Sequence, residues 1–288
     1  MKKLNYQLKN LCERNHDGSH GTRSERHQIL QGIANQLLAL GFRRMEANSL
    51  KPKHIEALVA HYHKEGLTPG TIKNRMSVLR WWAEKINKSN VICNDNAFYG
   101  IADRIFVTNS SKACDLNKAL LARIDSPTIK MSLELQKAFG LRREEAMKFT
   151  PDYADQGNHI RLKASWCKGG KAREIPIRTD EQRDVLARAH VLAGRGSLIP
   201  DHMQYVQQMR IYESETYKAG LSKMHGLRHR YAQERYLALT GWASPACGGA
   251  KTQNLNSEER KQDSLARLAI SQELGHERKS ITSVYLGT

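Results

Sequence analysis

Apolar side chains recur at helical intervals along most of the chain, with polar stretches between them. Ile29, Leu30, Ile33, Leu37 and Leu38 share one face of a helix predicted to begin near Ser24, and Gly41 is placed to end it. Ser49 and Pro52 open a second helix carrying Ile55, Leu58, Val59 and Tyr62. The third has the clearest period. Thr68 stands as N-cap and Pro69 in the first turn, followed by Ile72, Met76, Leu79, Trp82, Ala83 and Ile86 on one stripe. Trp81 and Trp82 read as core. Residues 1–23 are polar and read as a flexible arm, and residues 97–114 lack a sustained period and read as a linker. This divides the chain into a helical unit at 24–96 and a second unit at 115–288.

The second unit opens with a helix near Leu116 to Ile124. Another runs from Ser126-Pro127 through Leu133, Leu135 and Phe139 to Gly140. The period then drops to two over Asn158 to Ala164 and again over Arg173 to Ile177. Lys168-Gly169-Gly170-Lys171 lies between, which predicts a β-hairpin. Thr179-Asp180-Glu181-Gln182 resembles a capping box, opening a helix to about Leu192. Further helices are expected at about 203–219, from His225 to about Leu239, and from Ser264 to Glu273. Trp242 to Asp263, rich in Gly, Ser and Asn, reads as a loop insertion. Tyr231 and Tyr236 read as helix packing residues. The fold class is mainly α with a small β-hairpin, that is α+β.

Charge narrows the partner. Lys and Arg number 46 against 29 Asp and Glu, a net +17 that favours a polyanion. The basic residues are spread over the whole chain, which favours nucleic acid over a membrane surface. The sequence has no window of the ~18 apolar residues a membrane span requires, and its opening residues lack the apolar core of a signal peptide. The five cysteines are scattered without a Cys-x-x-Cys, as expected of reduced thiols in a cytoplasm rather than a disulfide scaffold or zinc site. His61 with His63, and His225 with His229, lack further ligands at metal spacing, so neither a metal nor a cofactor is expected. On the third helix, Lys73, Asn74, Ser77 and Arg80 lie off the apolar stripe. They form either a solvated face or a surface that contacts DNA phosphates.

Three motifs in the second unit carry chemistry. Gly140-Leu141-Arg142 stands at a helix junction, with Glu145 three residues after the arginine. His225-Gly226-Leu227-Arg228 opens a helix. Leu274-Gly275-His276 is followed by Tyr285, nine residues beyond the histidine. Each alone is weak, since a helix start or an i,i+3 charge pair accounts for it. Their order and spacing together resemble the active site of the tyrosine recombinase (phage integrase) family, and the likeness spans about residues 24–288.

That resemblance implies a helical SAM-like core-binding domain followed by a tyrosine-recombinase catalytic domain. It implies Arg142 and Arg228 as a clamp on the scissile phosphate, where planar guanidinium groups match the non-bridging oxygens. Tyr285 takes the nucleophile's position. A free phenol titrates near ~10, so attack requires a proton acceptor, and His225 fits that role. Lys168, with Lys171 as alternate, corresponds to the hairpin lysine that protonates the leaving 5′-oxygen. His276 would contact the phosphate or support the site, and Glu145 would orient Arg142 or a histidine. Arg143 and His229 flank the motif positions and are expected to contact DNA or solvent.

The family's chemistry implies a 3′-phosphotyrosyl intermediate, double-stranded DNA sites as substrate, and a tetramer on DNA. An accessory DNA-bending protein is compatible with it, as is a cytoplasmic, nucleoid-associated location. Two features depart from the family's simplest members: the 242–263 insertion, and the stop at Thr288, three residues past Tyr285, where many relatives continue into a docking segment. Two alternatives use the same residues differently: a type IB topoisomerase, and a non-catalytic DNA-binding protein of this fold.

Overall fold

The computed structural model describes residues 2–276 and 278–288. The chain divides into two compact units, residues 1–105 and 106–288.

The first unit is built from α1 (Lys3–Arg14), α2 (His20–Ala39), α3 (Pro52–Lys64) and α4 (Pro69–Lys85). Its core is the predicted stripe set, including Leu30, Ile33, Leu37, Ile55, Leu58, Tyr62, Ile72, Met76 and Leu79. Thr68 caps α4, its hydroxyl accepting from the Thr71 amide at 3.3 Å. Trp82 is fully buried and donates its indole N–H to the Ala47 carbonyl at 3.0 Å. The flexible arm expected at residues 1–23 is instead mostly helical. Leu4 and Leu8 lie one turn apart and both bury in the core, a stripe that the surrounding polar residues disguised. Asn5 fixes α1 to α2 through a 2.9 Å hydrogen bond to Gln31. Ser19 caps α2, so this helix starts before the expected Ser24. Part of the expected linker also belongs here, because Ile101 is buried in this core and Arg104 donates to the Gly70 carbonyl at 2.9 Å.

The second unit comprises α5 (Lys118–Ala122), α6 (Pro127–Phe139), α7 (Arg143–Met147), α8 (Pro151–Ala154), β1 (His159–Leu162), β2 (Arg173–Pro176), α9 (Asp180–Ala193), α10 (Tyr205–Lys218), α11 (Gly226–Thr240), α12 (Ser257–Glu273) and α13 (Ser283–Leu286). The strands pair antiparallel, with Ile160 opposite Ile175 and Arg161 opposite Glu174. Their alternation is as predicted: Ile160, Leu162 and Ile175 turn inward, while Arg161 and Glu174 form an exposed cross-strand pair at 2.9 Å. Helix α6 is central because it is apolar on two sides. Ile129 and Leu133 enter one core cluster, and Leu135 and Phe139 the other. Helix α11 lies beside α6 and divides in the same way, with Leu227 in the first cluster and Tyr231, Ala232 and Tyr236 in the second.

The predicted insertion is shorter than 242–263. Asn256 caps α12, accepting from the Glu259 amide at 3.0 Å, and the helix begins at Ser257. Asp263 is already inside it, accepting from Tyr236 at 2.6 Å and from Arg267 at 2.8 Å. The remaining loop packs through Pro245 and Ala246 beside Gly287, and so borders the short helix that bears Tyr285.

Candidate active site

Two close backbone approaches shape the site. Gly140, in a left-handed conformation after α6, has the Tyr231 ring where a side chain would stand; a Cβ there would lie 2.6 Å from it. Gly226, in the first turn of α11, faces Lys112 and Cys114, and a Cβ would lie 2.7 Å from both. The glycines of these two motifs thus let the chain segments around Arg142 and Arg228 close on their neighbours.

Arg228 is the hub. It is 1% exposed, and its guanidinium donates through Nη1 to the Gly140 carbonyl and through Nη2 to the Leu274 carbonyl. Its Nε donates to the Tyr285 hydroxyl at 3.3 Å. Burial, with the positive charges of Arg142 and Arg173, lowers its pKa to about 10, which leaves it a cation at neutral pH.

Tyr285 sits on α13, 5% exposed, with its backbone carbonyl accepting from Gln233 at 2.9 Å. Its hydroxyl also lies 3.3 Å from His276 Nε2. Burial, then the fields of Arg228, Arg142 and Arg173, holds His276 down to about 4, so its ring is neutral at pH 7. One arrangement satisfies both contacts: the phenol accepts from Arg228 and donates to a His276 whose proton is on Nδ1.

His225 has its ring centroid 6.2 Å from that of Tyr285, against 5.8 Å for His276, but among the described residues it makes no hydrogen bond to the hydroxyl, and it is exposed at the start of α11. Desolvation of the ring, then Arg228 and Arg142, places its pKa below the ordinary imidazole range. His229, expected to face DNA or solvent, is corrected by the structure. It is 4% exposed, with its ring centroid 4.7 Å from that of Tyr285. Its position one residue after Arg228 on α11 turns it inward. Burial and the charge of His225 lower its pKa to about 4.

Arg142 and Glu145 form the other wall. Arg142 precedes α7, and its amide and Nη1 both donate to the Glu145 carboxylate, at 2.7 and 2.8 Å. Glu145 is fully buried and takes two further bonds from Arg173, at 2.9 and 2.6 Å. Burial pushes its carboxyl up, but Arg173, helped by Arg228 and Arg142, outweighs this and brings it down to about 2. Arg173 was missed by sequence reasoning. The signal was present, because alternation in Arg173-Glu174-Ile175 puts the arginine on the buried face beside Ile175.

The structure therefore brings together Arg142, Glu145, Arg228, His276 and Tyr285, with His225 at the edge. Lys168 and Lys171 lie exposed between the strands, and among the described residues no contact places Lys168 against this group.

Of the residues expected to touch DNA, several are engaged within their own unit. Arg80 donates to the Cys93 carbonyl at 3.0 Å and to Asn96 at 3.0 Å, which makes it a brace for the chain after α4 rather than a free surface cation. Lys73 pairs with Asp103 at 2.6 Å, and Asn74 accepts from Arg104 at 2.6 Å. Arg143 pairs with Glu213 at 2.8 Å. Ser77 is exposed.

Comparison with known proteins adds to this geometry. Residues 1–91 match the family model of the phage integrase N-terminal domain, and residues 107–234 match that of the integrase domain. No curated protein matches the chain. A lambda integrase dimer bound to a COC′ core site shares the fold with a TM-score of 0.62 at 15% identity, over 98% of this chain and 76% of that one. The XerH site-specific recombinase bound to its difH substrate gives 0.56 at 16% identity, over 98% of this chain and 80% of that one. The Tn1549 transposon integrase with circular intermediate DNA gives 0.55 at 16%, over 100% and 96%. These identities speak for the fold, while the two sequence models match most of the first unit and residues 107–234 of the second; the chain belongs to the tyrosine recombinase (phage integrase) family.

Proposed function

We propose that this chain is a site-specific DNA recombinase that cleaves and rejoins strands through a 3′-phosphotyrosyl intermediate and serves the integration or excision of a mobile element. The observation that carries this is the Tyr285 hydroxyl held between a buried arginine and a neutral histidine, 3.3 Å from each. Such a phenol has a proton acceptor in place and a cation beside the position where negative charge develops.

Tyr285 Oη attacks the scissile phosphorus as its proton passes to His276 Nε2. The P–O5′ bond breaks, and the 5′-oxygen takes a proton from Lys168, with Lys171 as the alternate donor. Arg228 and Arg142 hold the non-bridging oxygens, a task suited to planar donors of two parallel hydrogen bonds. His225 at the site's edge takes a supporting role toward the phosphate. The phosphotyrosyl bond keeps the energy of the phosphodiester, so a 5′-hydroxyl from a second strand reverses the step and joins the new partner. A lambda integrase tetramer has been seen bound to a Holliday junction, and this chain is proposed to work through the same kind of assembly on double-stranded DNA.

The test is covalent capture. Protein and a pool of nicked duplexes of random sequence would be incubated and separated on a denaturing gel, beside Tyr285→Phe. A Tyr285-dependent adduct on a narrow set of sequences is expected. An adduct on nearly every sequence would point to a topoisomerase instead, and DNA binding with no adduct to a protein that only binds.

A further inference from the structure

The end of α12 presents two backbone carbonyls to the active site. Glu273 O accepts from Arg173 Nε at 2.9 Å, and Leu274 O accepts from Arg228 Nη2. Carbonyls at a helix C-terminus lack partners within the helix and carry the negative end of its dipole, so they suit guanidinium donors. The side chain at this position has the opposite logic. Glu273 is the last residue of α12, where a carboxylate opposes the dipole, and it is only 5% exposed.

Three donors offset that cost. Arg178 Nη2 donates to Oε1, Arg235 Nε donates to Oε1 at 3.2 Å, and the Tyr231 hydroxyl donates to Oε2 at 2.7 Å. Tyr231 matters most, because its ring also packs on Gly140, whose carbonyl takes the other terminal nitrogen of Arg228. The Tyr231–Glu273 bond therefore ties together the two loops that hold Nη1 and Nη2 of Arg228. Through the Glu273 carbonyl the same residue also steadies Arg173, and thereby Glu145 and Arg142.

We infer that Glu273 is a positioning residue for the phosphate clamp: it touches no reacting atom, and it sets the placement of Arg228 and, by way of Arg173, of Arg142. This rests on the recombinase reading above. Glu273→Gln keeps the shape and removes the charge that holds two arginines. A clamp displaced by a fraction of an ångström to 1 Å slows single-turnover cleavage on the order of 10- to 100-fold.

The experiment measures single-turnover cleavage of a duplex recovered by wild-type covalent capture. The duplex is made once with the normal scissile phosphate and once with a methylphosphonate there. The methyl group removes one non-bridging charge, so the reaction depends less on paired guanidinium groups. Glu273→Gln is expected to be slow on the phosphate and close to wild type on the methylphosphonate, with DNA affinity retained. An equal loss on both substrates would mark a general folding role and overturn the inference, as would a wild-type rate on the phosphate. Tyr231→Phe, which keeps the ring on Gly140, is the second variant and should show the same split; its absence there also counts against the inference. Wild-type adduct formation on the same duplex tests the recombinase reading separately.

Discussion

Arg173 and Glu145 make a two-point ion pair, with nitrogen-to-oxygen distances of 2.9 and 2.6 Å, and both side chains are buried. The acid belongs to the first arginine motif and the base to the β-hairpin. The pair therefore joins the hairpin to the loop that bears Arg142. Removing one partner strands a charge in the interior, at a cost of up to about 3–5 kcal/mol, which the two bonds from Arg142 temper when Glu145 is the group left behind. Arg173→Met and Glu145→Gln should each lose on that order in urea unfolding. The double variant should lose clearly less than their sum, because neither charge is then left alone. Additive losses would mean that the two groups are not coupled.

His229 separates a DNA-contact role from a packing role. Its ring lies tilted against that of Tyr285, and its Nδ1 is buried with no hydrogen-bond partner among the described residues. His229→Ala should leave DNA affinity within a factor of about two, yet lower cleavage on the order of 100-fold as the phenol loses its lateral support. Filter binding and single-turnover cleavage check the two halves. A large fall in affinity would restore the surface role read from the sequence.

The acid side of the stability curve follows from the same cluster. His229 and His276 titrate near 4 in the folded protein against an ordinary value of 6.5, so between those values the unfolded chain binds more protons. Stability should therefore be complete above about pH 6.5 and fall as pH drops toward 4. Glu145 adds to the loss lower down, as pH falls from 4.5 toward 2, because its carboxylate is stabilised in the fold. Melting temperature from pH 8 to 4 reads this directly. The variant His229→Phe should flatten part of the decline above pH 4.

The motif residues Arg142, Glu145, Arg228, His276 and Tyr285 stood out in the sequence by type and spacing, and the structure gathers them; helix periodicity carried α2, α3, α4 and α6 because their stripes are strongly apolar. Three features were hidden for physical reasons. Helix α1 buries only Leu4, Asn5 and Leu8, too few positions for its period to stand out in a polar segment. The Asn256 capping box lay inside a stretch whose Gly, Ser and Asn content reads as loop. The buried arginines and acids were hidden because burial of a charge depends on a partner distant in sequence. Arg173 finds Glu145 28 residues away, and Arg178 finds Glu273 95 residues away. Residue type alone marks such groups as solvent-facing, as with His229 and Arg80.

His276, rather than His225, should take the phenolic proton. Sequence order offered His225; both rings lie near the tyrosine ring, at 5.8 Å for His276 and 6.2 Å for His225, but among the described residues it is His276 Nε2 that lies within hydrogen-bond distance of the hydroxyl, at 3.3 Å. A base with a pKa near 4 is already unprotonated at pH 5, so wild-type single-turnover cleavage should be nearly flat from pH 5 to 8 wherever the protein stays folded. His276→Asn keeps a polar group beside the phenol but cannot carry the proton, and should lower cleavage by roughly 10²- to 10⁴-fold with DNA binding retained. His225→Asn should lose less, since a supporting hydrogen bond to the phosphate contributes less than proton transfer. A cleavage profile that rises through pH 6.5 and disappears in His225→Asn would instead assign the proton to His225. In that case DNA binding must bring His225 onto the phenol and displace His276 from it.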